Sequence, residues 1–129
     1  VMSAAGLRVA AEIHCPGPID AEHLAQMTFG DRGLEREVLQ IFRRQAAIML
    51  SRIGGVEPGA ASAAVHTLKG SARGIGAWRV ARAAERLEHA GGQADRAASL
   101  AELQAATLEA RAAIDARLES YSSQTPDGR

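Results

Sequence analysis

A nucleophile, a cation and a bare backbone position fall within five residues of one another: His66, Lys69 and Gly70, in the stretch Ala64-Val65-His66-Thr67-Leu68-Lys69-Gly70-Ser71-Ala72. On a helix, positions i, i+3 and i+4 share a face, so the three cluster. Lys69 is the single lysine among fifteen basic residues. A compact ammonium therefore stands beside His66, whereas every other basic position carries a delocalised guanidinium. A neutral imidazole is a nucleophile through the nitrogen that keeps its lone pair while the other holds the proton, and that proton needs a fixed acceptor. Glycine inside a helix costs roughly 0.8–1 kcal/mol relative to alanine. At Gly70, in an alanine-rich helix, it points to a steric duty, because bulk there would obstruct approach to the imidazole. Close packing of a neighbouring helix is the alternative reason.

Candidates for the acceptor come from the next helical segment. His66 lies about 100° from the core position Val65, at the edge of the buried stripe. Glu88, one residue past Leu87, has the same relation to its own core, and an antiparallel neighbour would bring the two edges together. Glu85, one turn earlier, is a weaker candidate. The competing reading of Glu88 is an exposed salt bridge to Arg73, Arg82 or Arg86. Around His66 on the same face lie Gly59, Ser62, Ala63, Gly70 and Arg73, mostly small residues that leave an open landing surface for another protein.

The elements that must position these residues read as helices. Residues 1 to 17 have no sustained period and are expected to be a flexible lead-in, ending at Cys15-Pro16-Gly17-Pro18. Asp20 can cap a short helix to about Met27, with Ile19 and Leu24 as a hydrophobic staple, ended by Phe29-Gly30. Asp31 caps the next, whose stripe is Leu34, Val38, Leu39, Ile41, Phe42, Ala46, Met49 and Ile53, closed by Gly54-Gly55. A third runs from Pro58 to about Arg73 with Ala61, Val65, Leu68 and Ala72 inward, broken by Gly74 and Gly76. A fourth spans Ala77 to about Ala90 and buries Ala77, Val80, Ala84 and Leu87 before Gly91-Gly92. A fifth begins near Asp95 and carries Leu100, Leu103, Thr107, Ala110, Ile114, Leu118 and Tyr121. Short connections between four amphipathic helices of similar length predict an all-α, antiparallel up-down-up-down four-helix bundle, with the short extra N-terminal helix across one end. Residues 18–121 form this domain, and the tail 122–129 is expected to be disordered.

Composition agrees with that class and excludes others. Aromatics make up 3% of the 129 residues, and alanine, leucine, arginine and glutamate dominate, which favours a helical core of small and aliphatic side chains. Fifteen acidic residues cancel the fifteen basic ones, so no net field draws the chain to nucleic acid or an anionic membrane. The stripe Arg73, Arg79, Arg82, Arg86 reads as solvated. The lone Cys15, the absence of any membrane-length apolar run and an N-terminal stretch interrupted by Arg8 and Glu12 predict a cytoplasmic protein. His14, Cys15 and His23 match no zinc spacing, and no Glu-x-x-His pairs provide a di-metal centre. His89 reads as a last-turn residue, and Trp78 as a packing anchor.

The segment from Ala64 to Glu88, with His66-Thr67-Leu68-Lys69-Gly70-Ser71-Ala72, then Gly76-Ala77 and Leu87-Glu88, resembles the histidine phosphotransfer (HPt) domains of bacterial phosphorelays. The resemblance implies that His66 is the phosphoacceptor, attacking through Nε2, that Glu88 accepts the Nδ1 proton and orients the ring, and that Lys69 offsets phosphoryl charge. The implied partner is the receiver domain of a response regulator or hybrid histidine kinase, with Mg²⁺ in that partner and no cofactor on this chain. A monomeric carrier without kinase activity is expected. Its docking surface would centre on His66, with Gly70, Ser62, Ala63 and Arg73, and draw Val38 or Ile41 from the second helix. The alternative is a helical adaptor acting by binding alone. Val1 preceding Met2 is also compatible with a fragment of a larger hybrid kinase.

Overall fold

The two aspartates read as N-caps both serve as such. Asp20 Oδ1 accepts from the His23 amide at 3.1 Å and Asp31 Oδ1 from the Leu34 amide at 3.0 Å, each satisfying a first-turn N–H that the helix leaves unpaired. The computed structural model describes residues 17–55 and 58–124, which form helices and connections with no strand among them. The helices are α1 (Ala21–Met27), α2 (Arg32–Ile53), α3 (Pro58–Ile75), α4 (Trp78–Glu88) and α5 (Gln93–Gln124). Consecutive helices α2 to α5 pack on one another, α5 closes back on α2, and α1 lies against α3. Short connections force alternate directions, giving the expected bundle.

The apolar stripes meet in one core of Leu24, Leu39, Phe42, Val65, Leu68, Val80, Leu87, Leu103 and Ile114, with Ala46, Ala72, Ala84 and Ala110 between them. Alanine at those positions lets helices approach closely and leaves few voids to lose contacts across.

Several boundaries differ from the sequence reading. The four bundle helices are unequal, from 11 residues in α4 to 32 in α5. α3 continues through Gly74 to Ile75, because the chain reverses at Gly76 alone. Gly76 has φ +80, and a Cβ there would sit 2.7 Å from Asp20 Cβ, so both conformation and space demand glycine. Ala77 is the N-cap of α4 rather than its first residue, and α4 ends at Glu88 with His89 as C-cap. α5 starts at Gln93, before Asp95, whose Oδ2 instead accepts from the Gly91 amide at 3.0 Å. It runs through Ser122 to Gln124, past the expected end at Tyr121. The tail residues 125–129 and the lead-in residues 1–16, with His14 and Cys15, lie outside the described residues.

One buried charged group among the described residues was not anticipated. Glu35, only 5% exposed, receives hydrogen bonds from Arg117 Nε at 2.8 Å and from the Tyr121 hydroxyl. Burial and the bond to Glu35 push the Tyr121 hydroxyl above its ordinary pKa, against the opposing pull of Arg117. The network joins the start of α2 to the end of α5, and a buried carboxylate is tolerated there because it is paired.

Asp20 also ties α1 to the bundle. Trp78 Nε1 donates to its Oδ2 at 2.9 Å, the Asp20 amide donates to the Gly76 carbonyl at 2.9 Å, and the His23 and Trp78 rings lie 4.8 Å apart. The Trp78 bond, then the His23 amide, hold the Asp20 carboxyl below its ordinary 3.8. A depressed carboxylate contributes stability that is present above its unfolded pKa and lost as pH falls through the folded one. Because Trp78 is the only tryptophan, its emission should change on acidification with a midpoint below 3.8, and Asp20→Asn, which keeps a good cap, should abolish that transition. A midpoint at or above the ordinary value would show that the Asp20–Trp78 bond does not form in solution.

Candidate functional site

His66 sits on α3 where the bundle surface turns from the α2 side to the α4 side. Its side chain is 77% exposed, and Nδ1 lies 3.4 Å from Glu88 Oε2. The other carboxylate oxygen, Oε1, takes a hydrogen bond from Lys69 Nζ at 2.6 Å. The two core-edge positions, His66 beside Val65 and Glu88 beside Leu87, do meet across the antiparallel α3–α4 seam. With Nδ1 turned to Glu88, Nε2 on the opposite edge of an exposed ring is the nitrogen presented outward.

The charge distribution follows from these contacts. The Lys69 hydrogen bond, with its positive charge and a smaller contribution from His66, holds the Glu88 carboxyl below its ordinary 4.5. Glu88 is thus an anion across the physiological range, able to accept the Nδ1 proton of a neutral ring or balance an imidazolium. Lys69 stands beside His66, as its spacing suggests, with a side chain only 14% exposed and its ammonium turned into the seam toward Glu88.

Two of the three arginines offered as partners for Glu88, Arg73 and Arg86, are paired elsewhere, as is Arg79 of the same stripe. Arg73 pairs with Glu85 at 3.3 Å, Arg86 with Glu102 at 3.0 Å and Arg79 with Glu109 at 2.9 Å. Glu85 is accordingly spoken for, and Glu88 is the carboxylate that reaches His66. The basic stripe of α4 is largely a ladder of exposed pairs with α5, each worth at most about 1 kcal/mol.

Gly70 is exposed, and a Cβ built on it would meet nothing within 4 Å. Helix packing is therefore not the reason for glycine there. Gly59 and Gly74 are equally open, and Ser62 and Ala63 are exposed, so the surface around His66 is smooth. Of the apolar candidates on α2, Val38 packs against the core, whereas Ile41 is 39% exposed. Ile48, at 48% exposure, was missed; its signal is an isoleucine off the core stripe. At 100° per residue, Ile41 and Ile48 lie on the side of α2 away from Arg43, which pairs with Asp115 of α5.

An open groove of about 390 Å³ runs along the α3–α4 seam, bordered by Ser62, Val65, Leu87, Glu88 and Arg96. Among the described residues, no three His, Cys, Asp or Glu side chains converge as a metal site would require. His23 Nε2 is hydrogen-bonded at 2.9 Å with the Arg73 carbonyl. No described helix is long and apolar enough to cross a membrane.

The sequence profile of the Hpt domain matches residues 37–119. Among solved structures, the histidine phosphotransferase ShpA from Caulobacter crescentus is similar at 32% identity over 84% of this chain and 98% of that one, with a TM-score of 0.72. A candidate histidine-containing phosphotransfer protein from rice shares the fold at 22% identity, covering 91% of this chain and 94% of its own, with a TM-score of 0.70. A search among curated proteins returned no match. The profile match spans most of the chain and includes His66, Lys69, Gly70 and Glu88. The chain belongs to the Hpt domain family, whose members carry phosphoryl groups between proteins.

Proposed function

We propose that this protein relays a phosphoryl group through His66 between receiver-domain aspartates of a hybrid histidine kinase and a response regulator. The observation that supports this most is an exposed imidazole whose Nδ1 faces an anionic carboxylate, in a chain of this family. With Nδ1 protonated and directed at Glu88, Nε2 keeps its lone pair and attacks the phosphorus of a receiver's aspartyl phosphate. The P–O bond to the aspartate breaks as the P–N bond forms, and the aspartate leaves as a carboxylate. Positive charge gained by the ring is balanced at Glu88. The second transfer reverses these steps onto another aspartate. The divalent cation of such a reaction belongs to the receiver's acidic site, and no cofactor is proposed for this chain.

The receiver would dock over His66, with Ile41 and Ile48 as apolar contacts beside the smooth surface of Ala63 and Gly70, and polar Ser62 and Arg73 at the rim. The test is transfer of radiolabel from a panel of phosphorylated receiver domains to the intact chain, followed by acid and base treatment of the product. Acid-labile, base-stable label is the expected result and identifies phosphohistidine. No label from any receiver would overturn the relay and leave a bundle that acts by binding alone.

A further inference from the structure

We propose that the outward face of α5 pairs, antiparallel, with the same face of a second copy, so that two bundles join back to back. This departs from the monomer expected from the resemblance, and it does not depend on the relay reading. Helix α5 already has a core face, on which Leu103, Thr107, Ala110, Ile114 and Tyr121 are buried. Its other side should then be polar. Instead Ala94, Ala98, Ala101, Ala105, Leu108 and Ala112, all exposed, recur in alternating steps of four and three residues. That is the heptad row of a helix that meets another helix along a seam. Leu108, 64% exposed, is the large knob in the row, and alanine elsewhere admits a second helix at about 8 Å. The charges that border the row are turned away from it. Glu102 is held by Arg86 and Glu109 by Arg79, both of α4, and Asp115 by Arg43 of α2.

These features select the occupant. A helix that approaches so closely needs an equally small, uncharged face, and among the described bundle helices α5 alone has one. The exposed residues of α2 include Arg36 and Arg44, those of α3 His66 and Arg73, and those of α4 Arg79 and Arg82. Charge then sets the direction. Continued toward the C-terminus, the row reaches Asp115 and Glu119, and a parallel pair would set each carboxylate against its own copy in the seam. In an antiparallel pair centred between Ala101 and Ala105, Leu108 lies over Ala98 of the other copy. Asp115 then falls just beyond the start of the other α5, where the positive end of the helix favours an anion. The seam, about 27 Å long at 1.5 Å per residue, is at the small end of specific interfaces, so association is expected at roughly 10–100 µM. Because α5 packs on α4 and α2 and stands across the bundle from α3, both His66 side chains stay open. Such a pair offers two copies of the site at once to a partner that is itself dimeric.

Sedimentation of the intact chain from about 1 µM to about 1 mM, a range that brackets this affinity, should show the mass rise from 13.5 kDa toward twice that value. Leu108→Lys and Ala101→Glu should each weaken association about tenfold or more, because a charge in the seam has no partner, and should leave helicity unchanged. Met27→Lys, which charges an apolar residue 51% exposed on α1, should leave the mass curve as in wild type. With Cys15→Ser as background, spin labels at Ala116→Cys should be separated by about 40 Å in the antiparallel pair, from 1.5 Å per residue on either side of its centre. A chain that keeps a single mass up to about 1 mM, far above the expected affinity, would overturn the proposal and leave the face to a different partner. So would pairing that survives Leu108→Lys and Ala101→Glu, pairing lost in Met27→Lys, or a label separation below about 20 Å, which only a parallel pair would give.

Discussion

His66→Gln is expected to accept no label from any receiver that phosphorylates the wild-type chain, while its thermal unfolding stays within about 0.5 kcal/mol of wild type. The two halves of that expectation have one cause. A side chain 77% exposed contributes little packing, so its removal leaves the core of Leu68, Val80 and Leu103 untouched. Glutamine keeps polarity and approximate reach but offers no ring nitrogen with a lone pair, so the P–N bond cannot form. Residual acid-labile label on this variant would mean that phosphate resides on another histidine. His23 and His89 are then the described residues to replace next, and the assignment of the site to the α3–α4 seam would fail.

Gly70→Leu should have a comparably large effect on transfer and the opposite sign on stability. Nothing lies within 4 Å of a Cβ at this position, so a larger residue is accommodated in the isolated protein. Removing a helix-interior glycine then stabilises the fold by about 0.5–1 kcal/mol, visible as a rise of a few degrees in Tm. Transfer should nevertheless fall by about 10²-fold or more, because in-line reaction requires the reacting atoms about 3–3.5 Å apart and tolerates little misplacement. Gly70→Ala should show the same stabilisation with a smaller loss. A leucine variant that is more stable and transfers at the wild-type rate would show that partners do not approach over Gly70. A loss of transfer accompanied by unfolding would show that the position is packed in solution.

The site was legible to different depths. That the His66 edge of α3 faces the Glu85–Glu88 edge of α4 follows from periodicity, since His66 and Glu88 each stand one residue beyond a core position and the α3–α4 connection is too short for anything but an antiparallel neighbour. Which carboxylate would be chosen was less determined. Glu85 and Glu88 lie on the same side of α4 one turn apart, and the choice depends on the axial offset between α3 and α4. The Gly76 turn sets that offset by admitting Asp20 against a backbone with no Cβ. Lys69 was recognised as a point charge but was assigned to an external ligand. Its position about 100° from buried Leu68 places it at the core edge facing α4, and only the assembled seam shows an acceptor there.

Helix boundaries illustrate the same division. Asp20 and Asp31 were readable because capping is local: a side chain bonds an amide three residues on. Gly91-Gly92 do lie in the break between α4 and α5, whereas Gly74 misled because a glycine permits a break without requiring one. Whether it is used depends on neighbours, and at Gly74 the helix continues. The Glu35–Arg117–Tyr121 network had no local signature, since its members come from the two ends of the folded region and each is ordinary on a helix surface. Val38 and Ile41 were equivalent as apolar residues at one turn's spacing, and packing against the core separates them.

The sequence by itself therefore determined the helical class, the bundle, the caps and the residues able to carry the chemistry, because these rest on propensity, periodicity and spacing within one segment. The tertiary structure decided which oxygen faces which nitrogen, where the lysine points and which glycines are open. Those depend on the register and separation of helices, where an ångström decides whether a hydrogen bond forms.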